Sequence, residues 1–141
     1  MKPIIKIIVV GLGVRGKHWI HVINNHTLAL ITAFVDINPL SKDDISKSII
    51  HDIPFFTSFT EALEKVESNA ILIATPPEYH YDQVILAFKR GKHVICEKPL
   101  TEKLKDSIQL YKESLSYKLK LMVGMNFRYL STSQHIRNVV S

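Results

Sequence analysis

Val9-Val10-Gly11-Leu12-Gly13-Val14-Arg15-Gly16 is the stretch whose reading decides the fold. It follows the apolar run Ile4-Ile5-Lys6-Ile7-Ile8-Val9-Val10 and opens a helical pattern from Val14 to about Asn25. A Gly-x-Gly-x-x-Gly alone says little, because many turns need glycine. Between a buried strand and a helix each glycine acquires a task. Gly11 takes the tight turn, Gly13 leaves the backbone open to a pyrophosphate, and Gly16 lets the helix pack near the strand. The phosphates are then expected at the helix N-terminus, where unpaired N–H groups and the positive dipole end face them. The bland alternative is a glycine-rich turn with no ligand.

Outward from this loop, strands alternate with helices. Leu28 to Val35 reads as a second strand ending at Asp36. Asn38 to about Ile50 is helix-like with a thin apolar face of Leu40, Ile45 and Ile49. Pro54 to Thr57 fits a third strand, and Ser58 caps a helix with Glu61 three residues on and Phe59, Leu63 and Val66 along one face. Ala70 to Ala74 is a fourth strand, stopped by Thr75-Pro76-Pro77. Tyr79 to Arg90 is a helix with Val84, Ile85 and Phe88 on one side and Gly91 at the left-handed cap position. His93 to Cys96 is a fifth strand, followed by Glu97-Lys98-Pro99. Thr101 starts another helix, with Leu104, Ile108, Tyr111 and Leu115 at helical spacing. Leu119 to Val123 makes a sixth strand, and a last helix begins near Ser131 to Ser133. The fold class is α/β: a doubly wound, mostly parallel sheet in the order 3-2-1-4-5-6, a Rossmann fold.

Composition agrees. The 141 residues amount to about one domain, and 46% apolar with 22% charged content is that of a globular protein. No apolar run approaches the roughly 20 residues of a membrane span, and with the first strand starting almost at once no leader is expected. A lone Cys96 excludes an internal disulfide and a cysteine-rich zinc site, so the cytoplasm is expected. The net charge of +5 is spread along the chain. Its densest group, Lys89-Arg90-Gly91-Lys92, falls at a helix end, where cations complement the dipole. No basic stripe with interleaved aromatics argues for nucleic acid. No metal set is expected: His18, His21 and His26 lie on or after the first helix without a matched ligand pair, His51 reads as loop, and His93 opens a strand. Met122 and Met125 read as core or near-core packing.

Asp36 lies 20 residues after Gly16, at the end of the second strand. There a carboxylate accepts from the adenosine ribose hydroxyls, with a turn or cap aspartate as the alternative. The same carboxylate disfavours NADP. Charges about 4 Å apart at an effective dielectric of about 20 repel by roughly 4 kcal/mol, and a third of that is about tenfold in affinity. Lys42, if folded back, offsets part of this. NAD is the expected cofactor.

Across the other half of the sheet stand Ala74-Thr75-Pro76 with His80, Gly91-Lys92-His93-Val94 leading to Glu97-Lys98-Pro99, and Val123-Gly124-Met125-Asn126-Phe127-Arg128-Tyr129. With the glycine loop, these motifs resemble the glucose–fructose oxidoreductase/inositol dehydrogenase/MocA-type (Gfo/Idh/MocA) oxidoreductases over nearly the whole chain. The Glu-Lys-Pro set after its strand is the most specific part. The resemblance implies a cofactor site of Gly11, Leu12, Gly13, Val14, Arg15, Gly16, Asp36, Ala74, Thr75, Pro76, His80, Glu97, Lys98 and Asn126. It implies a catalytic role for Lys98, beside the nicotinamide ribose and the reacting hydroxyl; from the residues alone Lys98 reads as a surface lysine. It also implies hydride transfer with a sugar, polyol or similar small molecule as partner. Pro77 departs from the family, where many members carry asparagine after Thr-Pro.

The domain expectation is a cofactor-binding domain over 1–126, with 127–141 starting the connection to a second, substrate-binding domain. A final stripe of Ile136, Val139 and Val140, extended by Leu130 and Phe127, is one that such a domain would help cover; without it the chain is expected either to pair through this helix, as in a homo-oligomer, or to leave it frayed and mobile. Two other functions fit the same motifs: a non-catalytic dinucleotide-binding module or truncated pseudoenzyme, and an NAD-dependent glycosidase of the same family.

Overall fold

A computed structural model describes residues 3–41 and 53–140. Six strands form one parallel sheet: β1 (Ile5–Val10), β2 (Ala29–Val35), β3 (Phe55–Phe56), β4 (Ala70–Ile73), β5 (His93–Cys96) and β6 (Leu121–Val123). Their order is β3-β2-β1-β4-β5-β6, as the alternation of elements implies. Among the described residues the helices are α1 (Val14–Asn24), α2 (Phe59–Lys65), α3 (His80–Lys89), α4 (Leu104–Ser116) and α5 (Ser131–Val140), with short 3-10 turns at Pro77–Tyr79 and Asn126–Tyr129. Expected Ile45 and Ile49, together with Lys42 and His51, lie outside the described residues.

The strand sequences explain the two-sided core. Successive side chains leave a strand on opposite faces, so a strand buried on both sides must be apolar throughout. Ile8 and Val10 of β1 join Ile71 and Ile73 of β4 in a cluster with Val84, Phe88 and Leu110. Ile7 and Val9 join Leu72 in the opposite cluster, with Ile20 and Ile23 of α1. Thus α2, α3 and α4 supply the first cluster and α1 the second.

Local signals set the element ends. Ser58 Oγ accepts from the Glu61 amide at 3.3 Å, capping α2 as its spacing implies. Gly91 follows α3 with φ +69°, and its N–H donates to the Phe88 carbonyl at 2.9 Å.

Three expectations change. Thr101 does not start α4, which begins at Leu104; its hydroxyl lies 2.8 Å from the Lys103 carbonyl and 2.6 Å from Ser107 Oγ. The Leu104, Ile108, Tyr111 and Leu115 stripe does share one face of α4, but that face is exposed, and Leu110 and Ser114 point inward instead. Met122 and Met125 are exposed rather than packed, because β6 is the last strand of the sheet and Met125 follows it.

No residue of α5 is buried, and Ile136, Val139 and Val140 are all exposed. Surface changes alter stability by about 0.5 kcal/mol or less, so a chain shortened to Leu130 is expected to melt within about 2 °C of the parent. Differential scanning calorimetry checks this. A larger fall would mean that α5 has a packing partner.

Candidate functional site

The carboxyl ends of β1, β2 and β4 converge on a cleft of about 580 Å³ lined by the glycine loop, Asp36, Ile37, Thr75, Pro76 and Tyr79, among others. Its floor is built by close backbone approach. Gly11 has φ +87°, and a Cβ there would lie 2.7 Å from the main chain of Ala74 and Thr75. A Cβ on Gly16 would lie 2.0 Å from the Gly11 carbonyl oxygen, so this glycine lets α1 close on the loop that precedes it as well as on the sheet. Gly13 differs: a Cβ there would meet nothing within 4 Å.

Gly13 is the N-cap of α1, with no side-chain cap bond and no acidic residue in the first turn. Among the described residues no side chain caps the first N–H groups of the helix, and an approaching anion meets them without a Cβ in its way. The Arg15 side chain beside them is partly exposed and cationic, and its Nε has no hydrogen-bond partner among the described residues. These features suit a diphosphate.

Asp36, half-buried, accepts from the Leu12 amide through Oδ2 at 2.7 Å and from the Asn38 amide through Oδ1 at 2.9 Å. The carboxylate is thus locked to the glycine loop. Each oxygen keeps acceptor capacity for a ribose hydroxyl. The Leu12 side chain is buried in the core and its amide is committed to Asp36, so Leu12 shapes the loop from within. Val14 is exposed at the mouth. Thr75 Oγ1 donates to Gln83 Oε1 at 2.6 Å, fixing the turn at which Pro76 stands exposed.

On the far side, Glu97 is 4% exposed. Its Oε1 accepts from Arg15 Nη2 at 2.8 Å and Trp19 Nε1 at 2.7 Å, and its Oε2 accepts from the Lys98 amide at 3.2 Å. Burial alone pushes this carboxyl up, but the hydrogen bonds from Arg15, Trp19 and Lys98, with the Arg15 charge, outweigh it and hold the group below its ordinary value. A lowered value means its contribution to stability is present above the ordinary carboxylate pKa and lost as pH falls through the lowered one. His80, 0% exposed, places Nε2 at 2.8 Å from the Thr75 carbonyl and Nδ1 at 3.0 Å from the Pro99 carbonyl. Both neighbours are acceptors, so the nitrogen that carries the proton donates to its carbonyl, and the ring sits between two loops inside the protein. Lys98 is exposed beside these ties, and Asn126 is exposed in the turn after β6. Trp19 is the member of this set that the sequence did not single out. Its position, four residues after Arg15 on one helix face, was the available signal.

A family profile described as an oxidoreductase family with an NAD-binding Rossmann fold matches residues 5–125. The chain belongs to the Gfo/Idh/MocA oxidoreductase family. The inositol 2-dehydrogenase of Corynebacterium glutamicum is 28% identical over 145 residues, covering 99% of this chain and 42% of that protein. Scyllo-inositol dehydrogenase from Lactobacillus casei, solved with NAD(H) and scyllo-inositol, superposes with a TM-score of 0.87 at 25% identity, covering 97% of this chain and 41% of that one. The WlbA dehydrogenase of Bordetella pertussis, solved with NADH and UDP-GlcNAcA, gives 0.91 at 25% identity, covering 99% and 42%. This chain of the family spans about two fifths of these proteins' lengths. Among the described residues, no helix is long and apolar enough to cross a membrane.

Proposed function

We propose that this member of the Gfo/Idh/MocA family is the dinucleotide-binding part of an NAD-dependent oxidoreductase acting on a hydroxyl or carbonyl carbon of a sugar, polyol or related small molecule. The observation that carries it is the cleft at Gly13, where an uncapped helix N-terminus meets Asp36 locked to the loop. Bound NAD supplies the hydride chemistry. The first turn of α1 holds the diphosphate, Asp36 the adenosine ribose, and Arg15 adds positive charge beside the phosphates. The turn at Ala74, Thr75 and Pro76 borders the cofactor, and the exposed ammonium of Lys98 polarises the reacting oxygen or passes its proton on. Residues 1–126 form the cofactor domain and 127–141 begin the connection to a substrate-binding domain. The family match ending at 125 and the unburied α5 support that division.

Calorimetric titration tests the cofactor assignment. NADH is expected to bind this chain about tenfold more tightly than NADPH, the remnant of charge repulsion at Asp36 after screening. Asp36→Ala is expected to narrow the gap to about twofold. Equal affinities for the two cofactors in the parent chain would remove Asp36 from the ribose site.

A further inference from the structure

Glu97 lies where three separate parts of the chain come together. Arg15 and Trp19 come from α1, the helix that starts at the glycine loop; Lys98 follows β5; Gly124 follows β6. A Cβ on Gly124 would stand 3.1 Å from Glu97 Oε1, tighter than ordinary contact, so the β6 end approaches the carboxylate closely at a residue without a side chain. The Arg15 end of the ion pair is 41% exposed and the Glu97 end 5%. A buried carboxylate is a costly way to fill a core, since well-packed apolar residues of similar volume do as well or better. What the carboxylate adds is direction. Two donors four residues apart on one helix pin Oε1, while Oε2 takes the amide of the very next residue.

We propose that Glu97 is a positioning residue that registers the Lys98–Pro99 segment against the glycine loop, so that the loop holding the diphosphate also orients the segment facing the nicotinamide half. This rests on the dinucleotide reading of the cleft. Glu97 acts through its neighbours: both oxygens are occupied by protein donors and the side chain is buried, so it lies behind the cofactor rather than against it. His80 closes the other side, reaching the Pro99 carbonyl from the Thr75 turn. The base of Lys98 is thereby fixed from two directions while its side chain remains exposed.

The test compares NADH with ADP, which shares the adenosine diphosphate portion and lacks both the second ribose and the nicotinamide ring. Both are titrated by calorimetry into the 141-residue chain, its Glu97→Gln variant and its Trp19→Phe variant. Glutamine keeps shape and one acceptor but loses the charge that holds Arg15. Glu97→Gln is expected to weaken NADH about tenfold, the scale of a hydrogen bond to a charged group, and ADP by less than about twofold. Trp19→Phe keeps the carboxylate and removes one of its donors, and is expected to shift NADH in the same direction by about threefold. It decides the matter if Glu97→Gln does not fold. A change shared equally by both ligands, or no change in either, overturns the proposal, as do equal parent affinities for NADH and ADP. A parent chain that binds neither ligand overturns the dinucleotide reading itself, and this inference with it.

Discussion

Gly13→Val is expected to weaken NADH binding by at least about 100-fold, roughly 2.8 kcal/mol, while leaving the melting temperature within about 2 °C of the parent. Gly16→Ala is expected to do the reverse in kind, lowering the melting temperature by on the order of 10 °C through overpacking. The two glycines share a motif and stand three residues apart, yet their surroundings differ completely. A Cβ at Gly13 would meet nothing within 4 Å beyond its chain neighbours, and its φ of −66° suits any residue. Beyond its place as the N-cap, no close packing requires glycine there, and a phosphate approaching the backbone is what a side chain would obstruct. At Gly16 even one methyl would lie 2.0 Å from the Gly11 carbonyl oxygen, with the turn at Ala74 behind it. Circular-dichroism melting paired with NADH titration separates the two effects. If Gly13→Val binds as tightly as the parent, the diphosphate lies elsewhere.

The sheet order was legible because its strands are apolar on both faces, which distinguishes a covered parallel sheet from a half-exposed one. The face of α4 was not. Leu104, Ile108, Tyr111 and Leu115 look like the inward stripe, but α4 packs on Leu110 and on Ser114, whose hydroxyl donates to the Tyr111 carbonyl at 2.7 Å. A serine satisfied by its own helix buries almost as an apolar residue, and no spacing rule reveals that. The site shows the same division. The glycine loop and Asp36 are local signals with a fixed interval, whereas the Glu97–Arg15 bond joins residues 82 positions apart. Sequence reading could group Glu97 and His80 with the cofactor contacts, but only packing shows both buried and both committed to protein partners.

The other large effect concerns Lys98. Its backbone N–H is held by Glu97, the carbonyl of the following Pro99 faces His80, and its side chain is exposed at the carboxyl edge of β5. A lysine fixed at its base and free at its tip delivers an ammonium to a defined region without using the tip for structure. Hydride leaving a carbinol carbon requires the hydroxyl proton to depart, and the reverse reaction leaves an alkoxide to be protonated. One positioned acid or base contributes typically 10²–10⁴-fold to such a step. Lys98→Met, placed in a protein that also carries the substrate-binding part, is thus expected to lower turnover about 10²-fold or more. NADH affinity should change by less than about threefold, because methionine keeps most of the stem and the diphosphate sites are untouched. Stopped-flow absorbance of NADH with a substrate that supports turnover reads the first quantity, and fluorescence titration reads the second. Unchanged turnover would return Lys98 to the role of a surface lysine. A parallel loss of NADH affinity would make it a cofactor ligand rather than a proton carrier.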